Sequence, residues 1–172
     1  MVFYPRPLQS IERLLPNLER NSPVSIPKLV VELVPHSTWG YNVRSEFPKK
    51  QWDVIRKAVY KQSNYCCDIC GGKGRKHPVE AHEQWDYDDT THVQKLIGIW
   101  SLCPNCHLVK HMGRAMAVGQ GDRAMAHMDK VNGWTPQQTE DHIVGAMKQW
   151  EERSKHTWTL DLTWLDTHAK TY

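Results

Sequence analysis

A chain of 172 residues with eight tryptophans and a formal charge of only +3 has enough apolar mass for one cored domain, with or without an extension. No apolar run nears the roughly 20 residues of a membrane span, and Met1–Pro7 lacks the basic, apolar and small-residue order of a signal peptide, so a cytoplasmic protein with no membrane partner is expected. Total charge does not announce a nucleic-acid binder, but residues 49–80 hold eight Lys or Arg against three acidic residues, and residues 81–92 hold four acidic residues and no Lys or Arg. Such a pairing suits a phosphate ligand with a divalent cation; by charge alone, ordinary solvated faces are the preferred reading.

Seven of the ten prolines fall within residues 1–48. Proline blocks helix interiors and central strands, so this stretch reads as an extended N-terminal arm. Within it, a short helix is expected over Ile11–Leu18, interrupted by Pro16, and a strand over Leu29–Val34. His36–Arg44 reads as a loop whose aromatic residues pin the arm to the domain; a functional Trp or Arg is the rival reading. From Pro48 to about Asn64, Trp52, Ile55, Ala58 and Val59 recur at helical spacing, after a proline suited to a first turn. Arg56, Lys57 and Lys61 favour the C-terminal dipole of that helix; a solvated face is the preferred reading, with contact to phosphates as the rival. Val79–His82 predicts a short strand that His82 ends. Asp88–Thr91 is expected to cap a short helix carrying Val93 and Leu96.

From Cys106 to about Met116 a helix is expected, with His107, Lys110, His111 and Arg114 on one face at i, i+3, i+4 and i+7. Asp122 should cap a helix through Met125, Met128 and Val131 that Asn132-Gly133 ends. Thr135-Pro136-Gln137-Gln138 is a capping box with proline at N1. The helix that follows shows Ile143, Val144, Met147 and Trp150 on one side. Thr157–Trp164 alternates strictly, the pattern of a half-buried strand.

Four of the five cysteines form two Cys-x-x-Cys pairs, Cys67/Cys70 and Cys103/Cys106, with 32 residues between them. A tight turn aims both thiolates of a pair at one ion, so two pairs complete a tetrahedral structural Zn2+ site. Cys66 is left over; it could replace Cys67, but the Cys67/Cys70 spacing fits better. The second pair opens the histidine helix and so brings His107 and His111 near His82. Hydrolysing a phosphodiester needs a base, a cation for developing charge and a grip on the backbone. His82 can be the base, since an imidazole titrates near neutrality. His107 and His111, one turn apart, can hold a divalent ion, and Glu80, Glu83 or Asp86 could add a carboxylate. Lys110, Arg114 and the loop with Lys73, Arg75 and Lys76 could hold phosphates. His36, His127, His142, His156 and His168 read as structural or surface residues, and Trp85 and Trp100 as core.

Over roughly residues 50–115 these features resemble the HNH nucleases of the ββα-metal (His-Me finger) type with a zinc-knuckle scaffold. Val79-Glu80-Ala81-His82 matches the segment of the first histidine, and Leu102-Cys103-Pro104-Asn105-Cys106-His107-Leu108-Val109-Lys110-His111 matches the start of the metal-binding helix. More loosely, the whole chain resembles uncharacterised bacterial and phage HNH-type proteins. The resemblance implies an α+β fold: an extended arm (1–48), a zinc-bound ββα domain (49–118), and a helical hairpin with a strand (119–172). It implies an endonuclease with His82 and Glu83 in catalysis, and His107, His111 and Glu80 on Mg2+, Mn2+ or a similar ion. Its partner would be nucleic acid, DNA first. There are two departures. Ala81 stands where the family carries a second ligand, and Gly98 stands where it carries the asparagine that orients the catalytic histidine. Glu80, Glu83 or His92 could compensate. The rival is a silenced HNH scaffold that binds DNA or a protein, such as a phage factor acting on a host machine.

Overall fold

A turn, not a helix, follows the acidic strip, and that decides the architecture. The computed structural model of the chain describes residues 26–46 and 48–168, with side chains up to Asp166; the expected helix at Ile11–Leu18 and the His168 side chain lie outside the described residues. Among the described residues the fold is α+β, with seven α-helices and one three-stranded sheet. A short 3-10 turn at His36–Thr38 and α1 (Val43–Glu46) lead into α2 (Lys49–Gln62), whose Trp52, Ile55 and Val59 are buried. Next come the antiparallel strands β1 (Glu80–Asp88) and β2 (Val93–Leu102).

Asp88 Oδ1 accepts the backbone N–H of Thr90 at 2.8 Å and of Thr91 at 3.1 Å. This Asx turn uses the side chain that would otherwise cap a helix, so residues 93–102 form a strand and His82 lies near the start of its strand, not the end. A bulge leaves Ile97 unpaired, since Gln84 pairs with Gly98 but Trp85 pairs with Leu96. One extra residue reverses which face the strand presents. Leu96 therefore enters a core with Val43, Trp52, Ile55 and Leu165, while Leu102 enters the larger core on the other face.

Beyond the hairpin, α3 (Pro104–Lys110) and α4 (Met112–Ala117) replace the single helix expected from Cys106 to Met116; the chain bends at His111 (φ −99°, ψ 46°). Then α5 (Gly121–Asn132) and α6 (Pro136–Ser154) form the helical hairpin. The Thr135/Gln138 capping box is present, with Pro136 at N1. Val144 points to solvent at 52 % exposure, whereas Ile143 is buried. The larger core joins Leu29, Cys67, Leu102, Met112, Met128 and Ile143, so it runs through arm, knuckle, α3–α4 and the C-terminal helices without a break.

The end of the chain forms β3 (Thr159–Asp161), parallel to β2, and α7 (Trp164–His168). The expected strand to Trp164 is cut short at Asp161, where Asp161 Oδ1 accepts the Thr163 N–H and hydroxyl and turns the chain. The expected strand at Leu29–Val34 is not one either. Its donors are satisfied from outside any ladder: Leu29 N–H by Asn132 Oδ1, Val31 N–H by His142 Nε2, and Glu32 N–H by the Lys110 carbonyl. The segment runs extended between helices, and this places Glu32 beside α3. No helix among the described residues is long and apolar enough to cross a membrane.

Candidate metal centres

The knuckle is built locally. Gly71 takes φ +70°, a conformation that suits glycine, and closes the turn with its N–H on the Cys67 carbonyl at 2.8 Å. Asp68 ties this turn to the end of β2, where its N–H donates to the Ser101 carbonyl and its Oδ2 accepts the Ser101 N–H. Cys103 is the N-cap of α3, and its Sγ accepts the Cys106 N–H. The ligand atoms of Cys67, Cys70, Cys103 and Cys106 all lie within 4.8 Å of one another. Cys70 Sγ is 3.6 Å from Cys103 Sγ, against roughly 3.8 Å between sulfurs on a tetrahedral zinc with Zn–S near 2.3 Å. The donor set and spacing fit a metal such as zinc. Cys66 is a free cysteine outside this group.

Four crowded thiols do not ionise independently. A hydrogen bond from Cys106 pulls Cys67 down to about 4. Burial pushes Cys70 up to about 11, and the Cys67 contact followed by burial pushes Cys106 up as well. His127, from α5, sets its Nε2 3.2 Å from Cys106 Sγ, where a ring N–H can donate to a thiolate.

A second cluster lies on the far side of α3. Ring centroids are 5.2 Å apart for His82 and His107, 4.9 Å for His82 and His111, and 4.6 Å for His107 and His111. The Nε2 atoms of His107 and His111 are 3.1 Å apart. Two nitrogens on a tetrahedral ion with bonds of 2.0–2.1 Å would be roughly 3.3 Å apart. His82 is buried, and neither of its ring nitrogens has a hydrogen-bond partner. Buried unpaired polar atoms are rare, and three convergent imidazoles are a donor set that a divalent cation would satisfy. Burial, then the His82 charge, lowers the pKa of His107; burial, then the His107 charge, lowers His111 to about 4. Both shifts favour the neutral ring, the form in which an imidazole ligates a metal.

Glu80 stands behind this pair. Its carboxylate contacts His107 Nδ1 on one side and His77 Nε2 on the other. It occupies the carboxylate–histidine position that fixes a ligand ring, not the ligand position expected from the sequence. Burial would raise its pKa, but the bonds to His77 and His107 outweigh that and lower it. Glu83 alternates to the other face of β1 yet lines the same cleft as the three histidines; burial raises its pKa.

The sequence also gave Lys110 a phosphate role that its location does not permit. It is 2 % exposed, with Nζ 3.4 Å from Glu32 Oε2 and 4.6 Å from the Trp100 ring centroid. Glu32 is the residue that sequence reasoning missed. Its Oε2 is 3.5 Å from His82 Nε2, and its Oε1 is buried without a partner. Burial alone would raise its pKa, but His82 and Lys110 together lower it.

The three histidines line a cleft of about 900 Å³ together with Glu32, Glu80 and Arg114. Its other cations are Arg44, Lys49 and Arg56, and Arg56 is paired with Asp53. Lys73, Arg75 and Lys76 are exposed and do not line it. Their loop is pressed on α3, where a Cβ at Gly74 would lie 2.2 Å from the His77 carbonyl and 2.7 Å from the Pro104 ring. No protein-family model matches the chain, and no curated protein or solved structure matches it either.

Proposed function

We propose that the chain is a metal-dependent endonuclease of the HNH type that hydrolyses phosphodiester bonds, with DNA as the first substrate to test. One observation carries this reading: the imidazole of His82, whose buried ring nitrogens lack a hydrogen-bond partner, converges with the imidazoles of His107 and His111 in a cleft lined by four cations and four carboxylates. His107 and His111 would hold a divalent ion such as Mg2+ or Mn2+. When bound, such an ion supplies charge stabilisation to the phosphoryl and leaving oxygens. Glu80 fixes the His107 ring through Nδ1. His82 is the base of this reading, and Glu32 orients its ring from the buried side. Arg114, Arg44 and Lys49 hold the backbone.

Two details bear on the departures from the family. The space above Gly98 is filled by Gln84, whose amide oxygen lies 3.0 Å from where a Cβ would be. An amide is thus supplied on the His82 face of the hairpin by the opposite strand. Ala81, in contrast, packs against the smaller core, and this favours the second reading of a scaffold that binds without cutting.

Supercoiled plasmid with Mg2+, Mn2+ or Ni2+ tests the pair of readings. Nicking that both His82→Ala and His107→Ala abolish supports the endonuclease. Band shifts without nicking support the binding scaffold, and neither effect leaves a protein partner. Mn2+ binding by His82→Ala then separates two roles for that ring. As a base it leaves the affinity unchanged; as a third ligand it weakens it.

A further inference from the structure

We infer that the cleft accepts unpaired nucleotides, so that single-stranded nucleic acid, not closed duplex, is its preferred ligand class. For the chemistry at the cleft floor this rests on the hydrolase reading; for binding it does not. Trp39 is 77 % exposed and Tyr41 57 % exposed, and both line the cleft that holds His82, His107 and His111. The sequence-based expectation that these rings pin the arm to the domain is therefore reversed.

The pinning is done by their neighbours. Thr38 is buried and donates its hydroxyl to Gln94 Oε1 at 2.7 Å, and Val43 is fully buried. On either side of Val43, Asn42 and Ser45 exchange backbone-to-side-chain hydrogen bonds at 3.0 and 2.9 Å. Anchored on both sides, the loop holds two large aromatic rings in water. Arg44, Lys49 and Arg114 line the same cleft with no ion-pair partner among the described residues. Aromatic rings beside cations free of a direct ion pair match successive bases and phosphates of a single strand. In a duplex the base faces are already stacked on one another, and only an unpaired base offers a face to Trp39. The cleft volume is within the usual range of small-ligand sites, enough for extruded bases.

The test is fluorescence anisotropy with the full chain carrying His107→Ala, so that the probe survives. The probes are labelled oligothymidylate, a hairpin with an unpaired loop and a blunt duplex of equal length. The single strand and the loop should bind more tightly than the duplex. Trp39→Ala should weaken single-strand binding by about 5- to 150-fold, Trp39→Phe should restore most of it, and Tyr41→Ala should act in the same direction. Both rings are exposed, so circular dichroism should be unchanged. Equal affinity for strand and duplex, indifference to Trp39→Ala, or no binding of any probe overturns the inference. Plasmid nicking that ignores Trp39→Ala overturns it while the hydrolase reading survives. Trp39-dependent strand binding by an otherwise wild-type chain that cuts nothing leaves the inference standing and removes the hydrolase.

Discussion

The two clusters meet on one helix turn, because Cys106 faces the sulfurs and His107 faces the imidazoles. They differ in closure. The cysteine group supplies four ligand atoms, three of its residues are buried, and α5 covers it with His127. The histidine group brings three candidate ligand atoms together, one of them on the ring proposed as a base, and opens into a cleft. Four protein ligands without an open position characterise structural zinc, whereas three with an open side characterise sites that do chemistry. Cys106 and His107, neighbours on α3, thus belong to two different clusters of candidate metal ligands. On the proposed reading, a metal lost from one centre should cost the fold, and from the other only the proposed cleavage.

The largest effect should come from the closed centre. Structural zinc in small domains contributes on the order of 10–16 kcal/mol, as much as the entire stability of a typical domain, about 5–15 kcal/mol. Cys106→Ala, or zinc removal by a strong chelator, should abolish the cooperative thermal transition; a chelated protein with an unchanged melting curve would show that the sulfurs need no ion. Next, His82→Ala should reduce cleavage by about 10²- to 10⁴-fold while the cooperative thermal transition persists; loss of that transition as well would blur the contrast.

Glu32→Gln bridges the two kinds of effect. It leaves Lys110 buried without its charge partner, and removal of one member of a buried pair costs about 3–5 kcal/mol. Denaturant titration should register that loss, and the double variant Glu32→Gln/Lys110→Met should recover part of it. The smallest effects belong to the outer partners. Glu80→Gln should weaken Mn2+ binding by about 10- to 100-fold without touching zinc content, and His127→Ala should do the reverse.

The parts of this account with local causes were legible in the sequence. Cys-x-x-Cys spacing reports a turn, and the Thr135/Gln138 box and the apolar face of α2 report helices through neighbours a few residues apart. The hairpin was half hidden. Asp88 followed by Asp89-Thr90-Thr91 has the chemistry of a helix cap as well as that of an Asx turn, and the Ile97 bulge breaks the alternation that would have identified β2. Leu29–Val34 has strand composition, but Asn132 and His142 answer its backbone from far along the chain. Glu32 was invisible for the same reason: nothing near it in sequence says that it meets His82 and Lys110. The histidine face was legible only in part: His107 and His111 do come together, but the chain bends at His111 and puts Arg114 on α4, and periodicity does not say that Glu32 and Trp100 bury Lys110.

The most direct measurement is a metal count on one preparation, with zinc by elemental analysis and added Mn2+ by electron paramagnetic resonance. The wild-type chain should hold a zinc and bind an additional Mn2+, and the His107→Ala/His111→Ala variant should keep the zinc and lose the Mn2+ site. Mn2+ binding that survives in that variant, or zinc that leaves along with the histidines, would contradict two separate centres on α3.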